Sequence, residues 1–290
     1  MSKVLFFLAV LNFSLHAATA EHQRGVQLYQ QKDYAGAIAA LEAVSRTEAA
    51  GSADYRESAL LIGQSYFNLN QAPKAIPWLE KVGPAVNEAN YMLGYAYLMN
   101  HQRAESQAAF ARLFEVKANS AGGHVVAAQM MLKREYETET KEEVQAALAM
   151  DPKIPEAHFL RGEIEITHNQ LAEGIQDMKA ELAINPNFAM AWYRLGDAYV
   201  RQENWDLAVP SLQRSIWLNQ FFSGPYILLG KSYFKQKNYL NAEGILRRGL
   251  ALDPQNYSGT YLLVQTLTAE GKKDEAAPLL EKLKGMPHER

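Results

Sequence analysis

Apolar and polar positions alternate along this chain with a helical period, in short stretches broken by turns. Trp192, Leu195 and Tyr199 fall on one stripe, spaced by three and four, and after a polar break Ala208 and Leu212 begin another. Such spacing predicts two short amphipathic helices joined by a turn. The same alternation recurs from end to end, so the chain is a series of such pairs.

Laying the sequence on itself gives the period. "LGDAY" (195–199) has relatives in "LGKSY" (229–233), "LGYAY" (93–97) and "IGQSY" (62–66). Small residues in matching contexts stand at Gly25, Gly63, Gly94, Ala128, Gly162, Gly196, Gly230 and Val264, separated by 38, 31 and then five steps of 34. Twelve residues after these anchors come Ala37, Ala75, Ser106, Thr140, Gly174, Ala208, Ala242 and Ala276, none of them large. Sixteen after come Leu41, Leu79, Phe110, Val144, Met178, Leu212, Leu246 and Leu280, all apolar. Pro152, Pro186 and Pro254 close three of the units, where a helix must stop.

A glycine inside a helix costs about 1 kcal/mol relative to alanine, so its repetition needs a reason. Close approach of the two helices supplies one, with the small residue twelve positions on meeting the glycine backbone. Pro77, Pro210 and Pro278 share one phase, fourteen after an anchor, which places them early in the second helix.

On these residues the sequence resembles the tetratricopeptide repeat family. The W-x2-L-G-x2-Y then A-x3-F pattern falls on Trp192, Leu195, Gly196, Tyr199, Ala208 and Leu212, and again on Tyr226, Leu229, Gly230, Tyr233, Ala242 and Leu246. The resemblance spans 21–290 as about eight units. It departs from the pattern around Ala128, where "KREYETETKEE" (133–143) replaces the usual turn, and around Val264. It implies an all-α fold, a right-handed superhelical solenoid of antiparallel helix pairs whose first helices line a concave groove. One solenoid follows because each unit packs only on its neighbours.

Composition adds a compartment. The first twenty residues, "MSKVLFFLAVLNFSLHAATA", have a basic Lys3, an apolar run from Val4 to Leu11 and a small-x-small end at Ala18-Thr19-Ala20. This reads as a signal peptide over 1–20, too short to span a bilayer, which takes roughly 20 apolar residues. The mature chain is then expected to be exported without a transmembrane segment, and periplasmic. Secretion, or anchoring by an uncleaved leader, are the alternatives. There is no cysteine, which removes disulfides, thiol catalysis and a lipidated cysteine. With 29 basic and 32 acidic residues and no long block of one sign, no nucleic-acid partner is expected.

Motifs for chemistry are missing. G-x-S-x-G, H-E-x-x-H and an Asp/Asn calcium loop do not occur. Gly230-Lys231-Ser232 resembles the end of a phosphate-binding loop, but Pro225 stands where the earlier glycine belongs. No two histidines have a helical ligand spacing, and His124 and His158 occupy the phase of Trp192, which makes them packing residues. Thr140 and Glu143 read as a capping box at a helix start. Neither metal nor cofactor nor catalysis is expected.

Function is therefore expected at a surface. The resemblance implies that side chains three before and one, four and five after each anchor face the groove. Among these rows Phe67, Tyr91, Leu98, Phe159, Tyr193 and Phe234 are apolar or aromatic, and Tyr95 adds another ring. Such a lining suits a peptide with apolar anchors. Asp197 and Arg201 are four apart and can pair, whereas Lys231 and Lys235 are four apart and alike, an arrangement that favours an anion such as a carboxylate. The lysine and asparagines that chaperone-tail binders of this family use are replaced here by apolar residues, acids or glutamines. The expectation is a non-enzymatic scaffold or adaptor of the cell envelope that binds a protein segment in its groove. The alternative is recognition of an envelope polymer such as a glycan, on whose sugars the aromatic rows can stack.

Overall fold

A computed structural model describes residues 20–286 and is helical throughout, with sixteen α-helices and no strand among the described residues. The leader expected over 1–20 lies outside the described residues, apart from Ala20. The helices come as pairs: α1 (Ala20–Gln30) with α2 (Tyr34–Ser45), α3 (Ala53–Asn68) with α4 (Ala72–Val82), and α5 (Asn87–Met99) with α6 (Arg103–Leu113). Then follow α7 (Ala121–Leu132) and α8 (Glu137–Met150), α9 (Ala157–Thr167) and α10 (Leu171–Ile184), and α11 (Ala189–Arg201) and α12 (Trp205–Leu218). The last are α13 (Gly224–Lys235) with α14 (Tyr239–Leu252) and α15 (Tyr257–Ala269) with α16 (Lys273–Lys284). Every anchor lies in the first helix of its pair. The chain divides into two compact units, Met1–Met131 and Leu132–Arg290.

One turn recurs in all eight pairs. Seven residues after each anchor the backbone is left-handed, at Lys32, Asn70, His101, Glu135, Asn169, Glu203, Lys237 and Gly271. In seven of the pairs the following N–H reaches back to the last turn of the first helix, as in Asn204 N–H to the Tyr199 carbonyl at 2.9 Å and Asn238 N–H to the Tyr233 carbonyl at 2.9 Å. These bonds satisfy carbonyls that the helix end would leave open. The residue that donates also opens the second helix, and in α2 and α12 its side chain caps it: Asp33 Oδ1 accepts from Gly36 N–H, and Asn204 Oδ1 from Leu207 N–H.

The close approach expected at the anchors is present, and a further side chain fills it. A Cβ at Gly196 would sit 2.6 Å from Leu212, at Gly63 2.6 Å from Leu79, at Gly230 2.5 Å from Leu246, and at Gly162 2.8 Å from Met178. The side chain sixteen residues on, not the small residue twelve on, fills the space that glycine vacates. Leu41, Leu79, Phe110, Met178, Leu212 and Leu246 are all fully buried by this contact. The residue at twelve meets the first helix at backbone level as well, with Gly174 placed 3.2 Å from the Gly162 carbonyl by the same measure. In the last pair the anchor is Val264, and Leu280 is 49% exposed. The core there holds Leu263, Leu267 and Ala276, with Val264 and Leu279 packed beside them.

Two local expectations are corrected. Pro77, Pro210 and Pro278 lie inside α4, α12 and α16, each the sixth residue, beyond the first turn. Each lies on an exposed face, as does the residue four before it, so water can reach the carbonyl left without a donor. Thr140 and Glu143 form no capping box: α8 starts earlier, at Glu137, and the Thr140 hydroxyl donates to the Tyr136 carbonyl at 2.7 Å. Both side chains are buried inside the helix.

Within each unit the first helices form a layer. In the first unit α1 touches α3 and α3 touches α5; in the second, α9, α11, α13 and α15 touch in succession. Successive second helices of that second unit, α10, α12 and α14, make no comparable contact among the described residues. The second unit is thus tighter on its first-helix side, and its core runs between the layers through Met178, Leu195, Leu212 and Leu229.

The turns yield a prediction. Non-glycine residues in the left-handed region carry strain of about 1–2 kcal/mol. Lys237→Gly and Glu203→Gly, at φ 60 and 56, should each raise stability by about 0.5–1 kcal/mol after the entropy of glycine in the unfolded chain is set against that relief. Urea unfolding midpoints measure it; midpoints that fall or stay unchanged contradict it.

Candidate functional site

The face of the second unit formed by α9, α11 and α13 brings together Phe159, Tyr193, Asp197, Arg201, Lys231, Phe234 and Lys235. Its charges are mostly committed to one another. Arg194, which the sequence pattern did not single out, reaches back from α11 to α9, where its Nε donates to Glu163 Oε2 at 2.6 Å and its Nη2 to Glu163 Oε1. Arg194 also lies 3.5 Å from Asp197 Oδ2, and Arg201 Nη2 lies 3.1 Å from the same oxygen. Arg201 Nη1 donates to the Ile166 carbonyl of α9 at 2.9 Å. Burial alone would lower the Arg194 pKa, but the Glu163 carboxylate outweighs it and pushes the value up. Asp197 is buried, and the pair expected at Asp197 and Arg201 forms within α11, while Arg194 to Glu163 and Arg201 to the Ile166 carbonyl staple α9 to α11.

The aromatic positions divide in the same way. Tyr193 meets Phe222 edge-on at 4.9 Å, and Phe159 meets Phe188 at 4.8 Å. Phe188 and Phe222 lie 34 residues apart, just before α11 and in the connection before α13; both pairs are half-buried. Burial, then the Asp197 carboxylate, pushes the Tyr193 hydroxyl above its ordinary pKa. Phe234 packs on Tyr239 at 5.7 Å. Ile166 and Val200, which share the row of Phe234, are buried between helices.

Lys231 and Lys235 stand apart. Lys231 is half-buried and Lys235 exposed, both on α13. Neither has a carboxylate within ion-pair distance among the described residues. They are the uncommitted charge of this face.

The remaining predicted residues belong to the first unit. Tyr95 is 1% exposed; its hydroxyl donates to the Met130 carbonyl at 2.8 Å and its ring meets Tyr91 and Phe110 edge-on. Leu98 is buried as well. Tyr91 and Phe67 are half-buried, Phe67 against the core shared by α3, α4 and α5. Tyr95 and Leu98 therefore hold the first unit together and are not accessible to a partner.

Two polar clusters were not foreseen. In the first unit buried His22 has Nδ1 3.2 Å from Glu48 Oε1 and 3.1 Å from Ser58 Oγ, with Nε2 3.3 Å from Glu57 Oε2. A serine beside a histidine and an acid suggests a nucleophile. However, the Ser58 hydroxyl also donates to Glu48 Oε1 at 3.2 Å, so it is held within the cluster. Ser58 is also fully buried. The cluster therefore ties α1 to α3. No group of three or more metal-ligating side chains that could hold an ion occurs among the described residues.

The second cluster replaces apolar core with charge. His158, Arg161 and Glu165 of α9 stand 34 residues before Trp192, Leu195 and Tyr199, and Asp177 of α10 stands 34 before Ser211. His158 Nδ1 lies 2.8 Å from Asp177 Oδ1, and Arg161 grips both Asp177 oxygens at 2.5 and 2.6 Å. His158 thus keeps the packing position expected of it while serving as a hydrogen-bond partner. Burial would raise the Asp177 pKa, but Arg161 and His158 hold it below the usual range. Glu181 accepts from the N–H groups of Glu156 and Phe159, closing the start of α9. Glu165 Oε2 is buried with no hydrogen-bond partner. Burial first, then the Asp177 carboxylate, pushes the Glu165 pKa from 4.5 up to about 7.

That shift has a sign. An acid whose folded pKa is raised gives stability that is full below its unfolded pKa, here 4.5, and lost as pH rises towards about 7. Glu165→Gln should remove this part of the pH dependence and be more stable than the native chain at pH about 8, with little difference at pH about 4. Urea unfolding at both values checks it; equal losses in both proteins would contradict it.

No helix among the described residues is long and apolar enough to cross a membrane. Among curated proteins, none matches this sequence. Among solved structures, MamA residues 41-end from Desulfovibrio magneticus RS-1 is similar at 19% identity and TM-score 0.52, over 57% of this chain and 94% of that one. Pseudomonas aeruginosa pilF gives 18% identity and TM-score 0.55, over 68% and 90%. YrrB, described as a TPR protein with an unusual peptide-binding site, gives 19% and 0.53, over 61% and 91%. At these identities the likeness shows the fold, an all-α superhelical repeat. The tetratricopeptide repeat family itself matches residues 22–85, 141–187, 168–217 and 227–286, more than half of the sequence. Its members generally act as non-catalytic protein-interaction scaffolds, and this chain belongs to that family.

Proposed function

We propose that the protein is a non-enzymatic adaptor of the cell envelope, exported to the periplasm, that binds a protein segment on the α9–α11–α13 face. The observation that carries this reading is the pair Lys231 and Lys235. Glu163, Arg194, Asp197 and Arg201 beside them are tied to one another, while these two like charges, four residues apart, repel one another by a few tenths of a kcal/mol. A carboxylate of the bound segment relieves that repulsion. Tyr193 with Phe222, and Phe234 beyond them, offer apolar surface beside the lysines for an adjoining side chain. A glycan could stack on the same rings, but it would leave the lysines unanswered unless it were acidic. The leader supports the compartment: Lys3, the run from Val4 and the Ala18–Ala20 end are what an export signal requires.

The reading is tested by photo-crosslinking from Tyr193 and Phe234 in extract of the native host. The expected result is one dominant protein adduct whose yield falls about tenfold in the Lys231→Glu/Lys235→Glu variant, with the adduct in the periplasmic fraction. Capture of no protein, or an adduct indifferent to the lysine changes, contradicts the peptide reading. Binding to purified cell-wall material that survives protease treatment would replace it with the glycan reading.

A further inference from the structure

The second helices of the second unit stand apart where the first helices touch, and between α10 and α12 this leaves a cleft of about 670 Å³. Its floor is Trp192, Leu195 and Tyr199, a stripe of α11 different from the one that carries Tyr193 and Asp197. Its walls are open: Ala183 of α10 and Leu207 and Pro210 of α12 are exposed, with Leu207 at 45%. In the next pair Trp217 stands where the cleft has Ala183.

Only two lining residues are charged, Lys179 and Arg214, and none is acidic. Lys179 Nζ lies 5.8 Å from the Tyr199 ring. Arg214 stacks on Trp217 at 4.2 Å and donates to Asn187 Oδ1 at 3.0 Å. Neither pairs with a carboxylate among the described residues, whereas Arg161, Arg194, Arg201, Arg247 and Lys272 of the same unit all do. The cleft therefore combines an apolar floor with unanswered positive charge on both walls.

We infer that this cleft docks a second, acidic peptide segment. One large apolar side chain rests on half-buried Trp192 beside exposed Leu207 and Pro210, over the buried Leu195 and Tyr199, and flanking carboxylates meet Lys179 and Arg214. An open trench between two helices fits a chain running through it, with its side chain inserted, better than an enclosed small ligand. The volume suffices for such a side chain with its backbone, since whole ligand pockets run from roughly 300 to 1,000 Å³. The site uses neither Lys231 nor Lys235, so it goes beyond the function proposed above and can fail independently of it.

The test is selection of a phage-displayed random dodecapeptide library on the full chain. Clones are compared on three variants: Ala183→Trp, which fills the cleft with the residue the next pair carries there, Lys179→Glu/Arg214→Glu, and Lys231→Glu/Lys235→Glu. The expected result is a family of peptides with a large apolar residue beside Asp or Glu. Their affinity should fall at least about tenfold on the first two variants and stay unchanged on the third. Circular dichroism keeps the comparison to folded variants, and the surface charge reversal stands alone if Ala183→Trp does not fold. No enriched family, enrichment of basic peptides, or binding indifferent to both cleft variants overturns the inference. So does cleft-dependent self-association of the chain, or cleft-dependent binding of dodecanoate without peptide binding, since each assigns the cleft to another occupant.

Discussion

The contact between each anchor glycine and the side chain sixteen residues on sets the geometry of every well-formed helix pair. Leu212 against Gly196, Leu246 against Gly230 and Leu79 against Gly63 occupy volume that any Cβ would claim. The second helix can then lie against the backbone of the first, and the residue twelve on has to be small because it faces the same crossing. The last pair lacks the glycine. Val264 fills its own space, and Leu280 turns towards solvent while its counterparts in other pairs are fully buried.

From that close crossing follows the layering of the second unit. First helices touch in succession and second helices spread, so one side gathers the residues of α9, α11 and α13 while the other opens the α10–α12 cleft. The staple from Glu163 through Arg194 and Asp197 to Arg201 fixes adjacent first helices. What the staple leaves over, Lys231 and Lys235, is available for recognition. One pair follows a different chemistry, with His158, Arg161, Glu165 and Asp177 in positions that are largely apolar in the next. Its packing energy is exchanged for hydrogen bonds that depend on protonation, which makes α9 and α10 a pH-sensitive part of the second unit.

The organisation of the fold was legible because repetition amplifies weak signals. Matching contexts, six of them spaced by 34, put every anchor in a first helix, and the residue types at twelve and sixteen marked the second. The mechanism behind the glycines was less legible: both later positions looked constrained, and only coordinates distinguish which side chain fills the gap. The shared turn was invisible because seven of its eight left-handed residues are not glycine, so no composition cue marks them. The prolines sit deeper in their helices than a local rule places them, since exposure on the outer face tolerates a lost hydrogen bond. At the candidate site the groove rows of the second unit fall together on one helix face. They did not separate partner-facing residues from those spent on packing, such as Tyr95, Leu98 and Asp197. Arg194, Phe188 and Phe222 were missed because each gains its role from a neighbouring pair; a match at a spacing of 34, as between Phe188 and Phe222, was the one available signal.

The claim that the glycine contact governs pair geometry is tested most directly by a double-mutant cycle on Gly196 and Leu212, read by urea unfolding. Gly196→Ala should destabilise by about 1–2 kcal/mol despite the gain of about 1 kcal/mol in helix propensity. With Leu212→Ala already in place, the same change should be neutral or stabilising, a coupling of roughly 1–3 kcal/mol. Additive effects, or a Gly196→Ala variant more stable than the native chain, would contradict the account.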